Sequence, residues 1–372
     1  MSPFALQIAL AVAMGYFFLI LYLLRHESKA TRPPDTWPTI ALLVAFRNEE
    51  KDIARCVEAL KQLDYPRDCL TIYLLDDQSE DRSAEIVKQA IQDQPHMHYM
   101  WVDEFLPGLT GKMNAVAMGI KHCDAELIAT TDADCAPNPR WLKTLAAGFD
   151  TSVAMVSGFT LIQPDDKGRL LNRMQQMDWL FIQSLAVGSA NAGKPISVIG
   201  NNLMYRRTIY NALGGFEKIG FSVDEDHALM KEIVTKTHYQ VRYLHTPDSI
   251  VYSLAYDRFM DFVRQRIRWA RGGLNARPFA WLVVMLSFVA HWLIPLIIIK
   301  GPHNIIGALA IGLVIGVDHL MLKRSMKALK IGALKKDILP YELFQLTYTL
   351  LIALIGPFKR RIHWKGRSYT KV

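Results

Sequence analysis

Paired carboxylates follow apolar runs at two places in this sequence. Asp132 and Asp134 end one such run, and Asp76 and Asp77 end another. An Asp-x-Asp pair at the end of a strand places two oxygen ligands at the lip of a cleft. Oxygen ligands suit hard divalent cations such as Mg²⁺ or Mn²⁺, often with help from substrate phosphates. The same pair is compatible with an Asx turn or a helix cap after the strand.

Two further polar motifs contain candidate functional residues. Lys112, in "GLTGKMNA", lies at the predicted start of a helix, where the helix dipole disfavours a positive charge and a solvated lysine is poorly placed. Its compact ammonium suits phosphate charge, so this position favours a functional role. In "SVDEDHAL" (222–229), Asp224 is expected to cap the following helix. Asp226 is compatible both with an acidic first turn and with a general base.

Strands and helices alternate between residues 39 and 150. Strands are predicted at 39–46, 70–77, 98–102 and 126–134, and helices at 50–63, 83–92 and 112–122. This alternation predicts a parallel sheet with helices on its faces, and ligands bind such sheets beyond the carboxyl ends of the strands. The residues expected at those ends are Asn48, Glu49, Asp76, Asp77, Asp132 and Asp134.

Residues 3–24 form an uncharged apolar segment whose one side-chain amide is Gln7. Twenty-two residues extend about 33 Å as a helix, which is enough to cross a bilayer core. A cleaved signal peptide is disfavoured, because Arg25, Lys29 and Arg32 follow the segment instead of preceding it. The charge bias predicts an external N-terminus, with the chain entering the cytosol at Arg25.

Further apolar segments lie at 278–299, 304–322 and 341–356. The last has about sixteen residues and contains Glu342 and Gln345, so it is expected to be interfacial or re-entrant. The sequence therefore favours three membrane spans, with the C-terminal tail in the cytosol.

Charge is concentrated beside these apolar segments. The chain has a formal net charge of +8 and is 51% hydrophobic, with a mean hydropathy of +0.11. Basic clusters at 323–336 and 358–372 favour contact with anionic headgroups over nucleic acid, so no nucleic-acid partner is expected. Asp318 and His319 lie about one turn before the first cluster and are expected at the membrane interface. The four cysteines show no CxxC spacing and are expected to be reduced.

The order of the motifs is more informative than any one of them. No GxGxxG or Walker A motif is present; instead "DDQSEDRS", "GLTGKMNA", "TDAD", "GNNLMYRR", "DEDHAL" and "RQRIRW" follow one another. Over about residues 38–270 the chain resembles the family-2 glycosyltransferases, in particular the membrane-bound branch that includes cellulose, hyaluronan and poly-N-acetylglucosamine synthases and ceramide glucosyltransferases. The resemblance implies an α/β GT-A (Rossmann-like) nucleotide-sugar domain with a mostly parallel sheet, plus N- and C-terminal transmembrane helices.

The resemblance assigns expected roles to residues that match the family's motifs. The donor-binding residues would be Asn48, Glu49, Asp76, Asp77, Lys112 and Asp132. Asp132 and Asp134 would hold a divalent metal, Mg²⁺ or Mn²⁺, that bridges the two phosphates of the donor and stabilises the departing nucleoside diphosphate.

Catalytic and acceptor residues follow from the same comparison. Glu225 and Asp226 match the family's Thr-Glu-Asp motif, with Asp226 as the general base of a single, inverting displacement. The family's Gln-x-x-Arg-Trp motif matches Gln265, Arg268 and Trp269 on an interfacial helix. Arg268 would contact the diphosphate, and Trp269 would form the floor of the acceptor site.

The expected organisation is a transmembrane helix (1–25), a GT-A domain (38–250), an interfacial helix (255–277), C-terminal membrane segments (278–357) and a basic cytosolic tail (358–372). The expected enzyme is a hexosyltransferase-type integral membrane protein, in the cell inner membrane, with a cytoplasmic catalytic domain. It would transfer a sugar from a uridine diphosphate-linked donor to a membrane-associated lipid acceptor by inversion. The alternative is a processive polysaccharide synthase. A catalytically inactive scaffold is disfavoured, because Asp132, Asp134, Asp226 and Arg268 are all present.

Overall fold

The computed structural model describes residues 1–26, 32–272, 276–301, 304–355, 362–364 and 367–369. The chain forms two compact units. The helical unit comprises Met1–Glu27, Pro164–Ile196 and Tyr256–Arg360, and the sheet unit comprises Ser28–Gln163, Ser197–Ala255 and Arg361–Val372. Helices and strands are numbered along the chain through both units.

The sheet unit contains all the described strands. They are β1 (Ile40–Phe46), β2 (Leu70–Asp76), β3 (Met97–Trp101), β4 (Leu127–Asp132), β5 (Ala136–Pro137), β6 (Val153–Ser157), β7 (Phe159–Ile162), β8 (Leu203–Arg206), β9 (Gln240–Tyr243), β10 (Ile250–Ser253), β11 (Ile362–Trp364) and β12 (Arg367–Tyr369). Seven of them form a sheet in the order β3-β2-β1-β4-β8-β6-β9. All neighbours in it are parallel except the two pairs that include β8. β10 lies between β5 and β7 in a small second sheet, and β11 pairs with β12.

Helices cover both faces of the large sheet. The helices of this unit are α2 (Ile53–Lys61), α3 (Ser83–Ala90), α4 (Gly111–Lys121), α5 (Trp141–Ala146), α7 (Arg207–Ala212), α8 (Gly215–Ile219) and α9 (Glu225–Lys236). In β1, Leu42 and Val44 belong to a buried cluster that includes α2, whereas Leu43 belongs to one that includes α4. Because both faces are buried, the strand is apolar at every position instead of alternating. The predicted α/β fold with a mostly parallel sheet is confirmed.

The sheet register brings the polar strand ends together. Phe46 at the end of β1 pairs with Asp76 of β2, and Ala45 pairs with Asp132 of β4. The segments after these three strands therefore begin at one edge of the sheet, as the sequence predicts.

The helical unit contains α1 (Pro3–Leu24), α6 (Leu170–Asn191), α10 (Phe259–Gly272), α11 (Pro278–Lys300), α12 (Ile305–Ala328) and α13 (Ile338–Ile355). Four helices are long and apolar enough to cross a membrane: α1, α11, α12 and the segment Ala333–Ile355, which includes α13. The expectation of apolar helices near both ends of the chain is confirmed.

The premise that the last apolar segment is too short to span is wrong. α13 begins at Ile338, and with the preceding 3₁₀ turn (Ala333–Asp337) the apolar helix has 23 residues. Pro340 lies in the first turn of α13, where a missing backbone N–H is tolerated, and so it does not bound the helix.

The expected linear domain limits stay predictions. Residues Pro164–Ile196, which include α6, belong to the helical unit although they fall inside the expected 38–250 domain. The expected basic tail (358–372) lies outside the described residues except for β11 and β12, which belong to the sheet unit.

Candidate active site

The loop after β1 interlocks with the loop after β2. The backbone N–H of Asn48 donates to Ser79 Oγ (3.1 Å), and Asn48 Oδ1 accepts from the backbone N–H of Glu80 (2.8 Å). Asn48 has φ of 54°, a left-handed conformation that asparagine adopts more readily than most residues. The backbone N–H of Glu49 donates to Ser83 Oγ (2.7 Å). Asn48 thus fixes the shape of the loops at this edge of the sheet.

Asp76 and Asp77 occupy the same edge. Asp76 is buried, and its carboxylate accepts from the backbone N–H of Ser79 (2.7 Å) and from the hydroxyl of Tyr99 (3.0 Å). These bonds commit Asp76 to holding the loop. The backbone N–H of Asp77, also buried, donates to the carbonyl of Phe46 (2.8 Å) and extends the pairing of β1 and β2 by one residue.

The Asp-x-Asp pair offers oxygen ligands to a cation. Single ligand atoms from Asp132, Asp134 and Cys135 lie within 4.8 Å of one another. Burial, and next the charge of Asp134, raises the pKa of Cys135 well above its usual value, so the thiol stays protonated and donates to Asp134 Oδ1 (3.3 Å). Burial, and next the charge of Asp132, raises the pKa of Asp134 to about 6. Two clustered carboxylates without a thiolate fit a hard divalent cation.

Helix α2 supports the backbone of this pair. Arg55 donates through Nη2 to the carbonyl of Asp134 and through Nη1 to Gln163 Oε1 (2.7 Å). The thiol of Cys56 donates to the carbonyl of Asp132 (3.6 Å). The Asp-x-Asp motif does not predict that Arg55 and Cys56 support it. Both donate to main-chain carbonyl oxygens of the pair, which any residue would provide.

Lys112 joins the Asp-x-Asp motif to the start of α9. Its Nζ lies 2.7 Å from Asp132 Oδ1 and 2.9 Å from Glu225 Oε1. Burial lowers the pKa of Lys112, but the two carboxylates raise it by a larger amount. The pKa is therefore well above its usual value, and the ammonium stays charged. This pairing explains how a lysine is tolerated at the N-terminus of α4.

Asp226 lies against the backbone of Gly200. A Cβ atom at Gly200 would be 3.1 Å from Asp226 Oδ2, and the carbonyl of Gly200 accepts from Thr130 Oγ1 of β4 (2.7 Å). Burial, and next the charges of Glu225 and Asp224, raise the pKa of Asp226 to about 7. A carboxyl with this pKa can accept a proton near neutral pH. The sequence does not predict that Gly200 lies next to Asp226.

The expectation that the Asp224 side chain caps α9 is wrong. Asp224 occupies the N-cap position, but its side chain makes no capping hydrogen bond. Its φ of −113° and ψ of 76° lie outside the extended conformation that is typical of capping residues. Its backbone N–H donates to Ser222 Oγ (3.2 Å).

Gln265, Arg268 and Trp269 lie on α10 in the helical unit. The ring of Trp269 packs edge-on against Trp179 (5.2 Å between centroids), and the guanidinium of Arg266 lies 4.2 Å from the Trp269 centroid. Gln265 Oε1 accepts from Arg266 Nη1 (2.6 Å). The expected contacts of these residues with donor and acceptor stay predictions.

Known proteins with related sequences are glycosyltransferases. The sequence profile of glycosyl transferase family 21 matches residues 5–371. The "Probable glycosyltransferase YdaM" of Bacillus subtilis is 26% identical over 299 residues, which cover 77% of this chain and 67% of that protein. A "Cellulose synthase catalytic subunit [UDP-forming]" of Xanthomonas axonopodis is 25% identical over 268 residues. That match covers 70% of this chain but about a third (35%) of the synthase subunit's length.

A solved structure shares the fold over nearly the whole chain. It is the "Mannosyltransferase PcManGT from Pyrobaculum calidifontis in complex with GDP-Man and Mn2+", with a TM-score of 0.57. The two sequences are 19% identical, and the superposition covers 95% of this chain and 99% of the mannosyltransferase. At this identity the likeness shows a common fold.

These comparisons confirm the resemblance to membrane-associated GT-A glycosyltransferases. The family profile extends from the first apolar helix to the penultimate residue, and so it includes both the sheet unit and the long apolar helices. The chain therefore belongs to glycosyl transferase family 21 and is an enzyme that transfers a sugar.

Proposed function

We propose that this enzyme transfers a sugar from a nucleoside diphosphate donor to a membrane lipid, by a metal-dependent, inverting displacement at the cytosolic face. The observation that carries the proposal is the pairing of Lys112 with Asp132 and Glu225. This pairing connects the candidate metal ligand Asp132 to the acidic turn that contains Asp226, through an ammonium that is suited to phosphate.

The donor half of the proposed site contains Asp132, Asp134 and Lys112. The two carboxylates would hold Mg²⁺ or Mn²⁺, which when bound neutralises charge on the departing diphosphate. Lys112, whose side chain is 16% exposed, supplies an ammonium at the same place. The name of the cellulose synthase relative favours a uridine diphosphate donor, whereas the mannosyltransferase of the same fold contains GDP-Man and Mn²⁺, so both nucleotides need testing.

The acceptor half of the proposed site centres on Asp226. Its carboxylate accepts the proton of the acceptor hydroxyl while that oxygen bonds to the anomeric carbon of the sugar. The bond from the anomeric carbon to the diphosphate breaks, and its electron pair leaves with the nucleoside diphosphate. One displacement inverts the anomeric configuration. The pKa of about 7 at Asp226 supports this role, whereas Glu225 is engaged by Lys112.

The helical unit supports a lipid acceptor. Four helices are long and apolar enough to cross a membrane, and they carry large exposed apolar side chains such as Phe4 (70% exposed), Ile299 (70%) and Leu343 (69%). Such side chains suit a hydrocarbon surrounding. The basic residues after α1 support an orientation in which the sheet unit lies in the cytosol and the apolar helices lie in the cell inner membrane.

A processive polysaccharide synthase is the second candidate. The cellulose synthase relative and the Gln-x-x-Arg-Trp motif at Gln265, Arg268 and Trp269 favour it. The size of the product separates the two functions: lipid transfer adds one sugar, whereas a synthase produces a ladder of lengths.

The test uses the full-length protein in lipid nanodiscs that contain a membrane lipid extract. Uridine and guanosine diphosphate sugars, each labelled in the sugar, are supplied with Mn²⁺ or Mg²⁺. We expect label in the lipid fraction, inverted configuration by NMR and loss of transfer in excess chelator. The matched control is the Asp132→Asn, Asp134→Asn variant, which should be inactive with either metal. Retained configuration, or full activity in chelator, would contradict the mechanism.

A further inference from the structure

Each of the four long apolar helices contributes one buried polar side chain to a single cluster. These are Tyr16 on α1, His291 on α11, Asp318 on α12 and Glu342 on α13, with exposures of 0, 3, 0 and 5%. Ionisable groups are costly inside an apolar bundle, where they commonly mark functional sites. The sequence places Asp318 at the membrane interface, but the structure buries it among helices. We call these four residues the interhelical cluster.

The imidazole of His291 is oriented toward two carboxylates. Its Nδ1 lies 2.7 Å from the carbonyl of Ser287, and because a carbonyl only accepts, Nδ1 must donate. Nε2 lies 2.8 Å from Asp318 Oδ2 and 3.7 Å from Glu342 Oε2. The hydroxyl of Tyr16 donates to the other oxygen of Asp318 (2.5 Å).

Glu342 points to a missing partner. Both of its carboxylate oxygens are buried, and neither has a hydrogen-bond partner among the residues the structure describes. A buried carboxylate without hydrogen bonds is strongly disfavoured. With a neutral His291, the carboxylates of Glu342 and Asp318 together carry two negative charges, which one divalent cation would neutralise.

We propose that the interhelical cluster is a second metal site, which binds a divalent transition-metal ion of the Zn²⁺ type through His291 Nε2, Asp318 and Glu342. Ligand atoms about 2.0 Å from a tetrahedral Zn²⁺ are about 3.3 Å apart, and the two measured separations from Nε2, 2.8 and 3.7 Å, lie on either side of that value.

The surroundings of the cluster also match metal sites. Ligating histidines usually donate their other ring nitrogen to a carbonyl or carboxylate, as His291 does to Ser287. Tyr16 holds the Asp318 carboxylate in a comparable way. One imidazole and two carboxylates suit Zn²⁺ better than the all-oxygen preference of Mg²⁺. The bound ion would tie α11, α12 and α13 together.

The experiment measures metal bound to the full-length protein in detergent. The background carries Asp132→Asn and Asp134→Asn, so that the donor site does not contribute. After loading with Zn²⁺ and desalting, we expect about one equivalent of zinc per chain by mass spectrometry. Adding Glu342→Gln or His291→Gln should lower this to below about 0.2. The matched control is His319→Gln, the half-buried neighbour of Asp318, which should keep the full equivalent.

Loading the same background with Co²⁺ gives a second readout that does not depend on the variants. A tetrahedral site with nitrogen and oxygen ligands should produce visible absorption bands, and Zn²⁺ should abolish them. Less than about 0.2 equivalent of zinc in the background protein would overturn the proposal, as would equal zinc content in the Glu342→Gln and His319→Gln variants. Either result would mean that the interhelical cluster holds protons only.

Discussion

The charge on Lys112 links the two halves of the proposed reaction. Its ammonium is shared between Asp132 and Glu225, whose side chains differ in exposure, 37% against 11%. A metal ion on Asp132 would compete with Lys112 for that carboxylate and free one of its donors for the diphosphate. Glu225 is nearly buried and would keep the other. The same residue therefore suits both an empty and a loaded donor site.

Replacing Asp226 tests the proposed base directly. Asp226→Asn keeps the side-chain shape but removes its basicity, so kcat should fall on the order of 10²–10⁴-fold, the usual share of general-base catalysis. Donor affinity should change little, because the proposed donor ligands are elsewhere. Steady-state kinetics and nucleotide titration separate the two effects.

The matched control for this variant is Asp224→Asn. The Asp224 side chain makes no capping hydrogen bond to α9, so its replacement should cost less than about 1 kcal/mol of stability. It removes one of the charges that raise the pKa of Asp226 but leaves the proposed base in place, so most of the rate should remain above pH 7. If the Asp224 variant were inactive while Asp226→Asn kept more than about a tenth of the rate, the base would be Asp224.

The raised pKa of Asp226 predicts how the rate depends on pH. Burial and the charges of Glu225 and Asp224 hold this pKa at about 7. Below pH 7 the carboxyl is protonated and cannot accept a proton, so kcat should fall as the pH decreases and level off above it. A profile of kcat from pH 5 to pH 9 measures this. A flat profile below pH 7, with chemistry rate-limiting, would exclude Asp226 as the base.

Among helices and strands, the sequence predicts which strands end at the polar edge of the sheet. It does not predict the contacts that depend on how the loops and helices pack. The run ending at Asp132 and the runs ending at Phe46 and Asp76 are readable as parallel strands, and their pairing brings the motifs together. The approach of Gly200 to Asp226 is not readable, because it depends on a loop distant in sequence.

Element boundaries in the helical unit show why sequence alone falls short. α6 contains polar residues at many positions, and the sequence gives no indication that it packs with apolar helices. Its Ser184 shares a hydrogen bond with Ser325 of α12 (2.6 Å). Likewise, Glu342 interrupts the apolar pattern of α13, and the sequence does not indicate that its carboxylate lies 3.7 Å from His291 Nε2 of α11.

The packing of α6 on α1 leads to a contrast between two glycines. A Cβ atom at Gly188 of α6 would lie 2.7 Å from Leu23 Cβ and 2.8 Å from its carbonyl oxygen, so Gly188→Ala must push the helices apart. We expect a loss of roughly 1–3 kcal/mol, typical of overpacking. At Gly312 of α12 a Cβ would meet no described atom within 4 Å, so Gly312→Ala should be neutral or stabilise by up to about 1 kcal/mol. Unfolding followed by circular dichroism in one detergent compares them, and equal stabilities would contradict this packing.

At the scale of the whole molecule, the motifs are divided between two units. The Asp-x-Asp pair, Lys112 and Asp226 belong to the sheet unit, whereas Arg268 and Trp269 belong to the helical unit. The family profile over residues 5–371 covers both sets of motifs.

The proposed orientation in the membrane rests on where the basic residues lie in the sequence, and single cysteines test it. Arg32→Cys should react with an impermeant thiol reagent only after cells are permeabilised, because the charge bias of the basic residues after α1 predicts that they lie in the cytosol. Asn304→Cys, between α11 and α12, should react in intact cells. Ser368→Cys should be protected, because the tail from 358 to 372 holds six basic residues and β12 belongs to the sheet unit. The wild-type chain, with its four cysteines, is the background control. Labelling of Ser368→Cys alone in intact cells would mean that α13 crosses the bilayer, and labelling of Arg32→Cys there would reverse the proposed orientation.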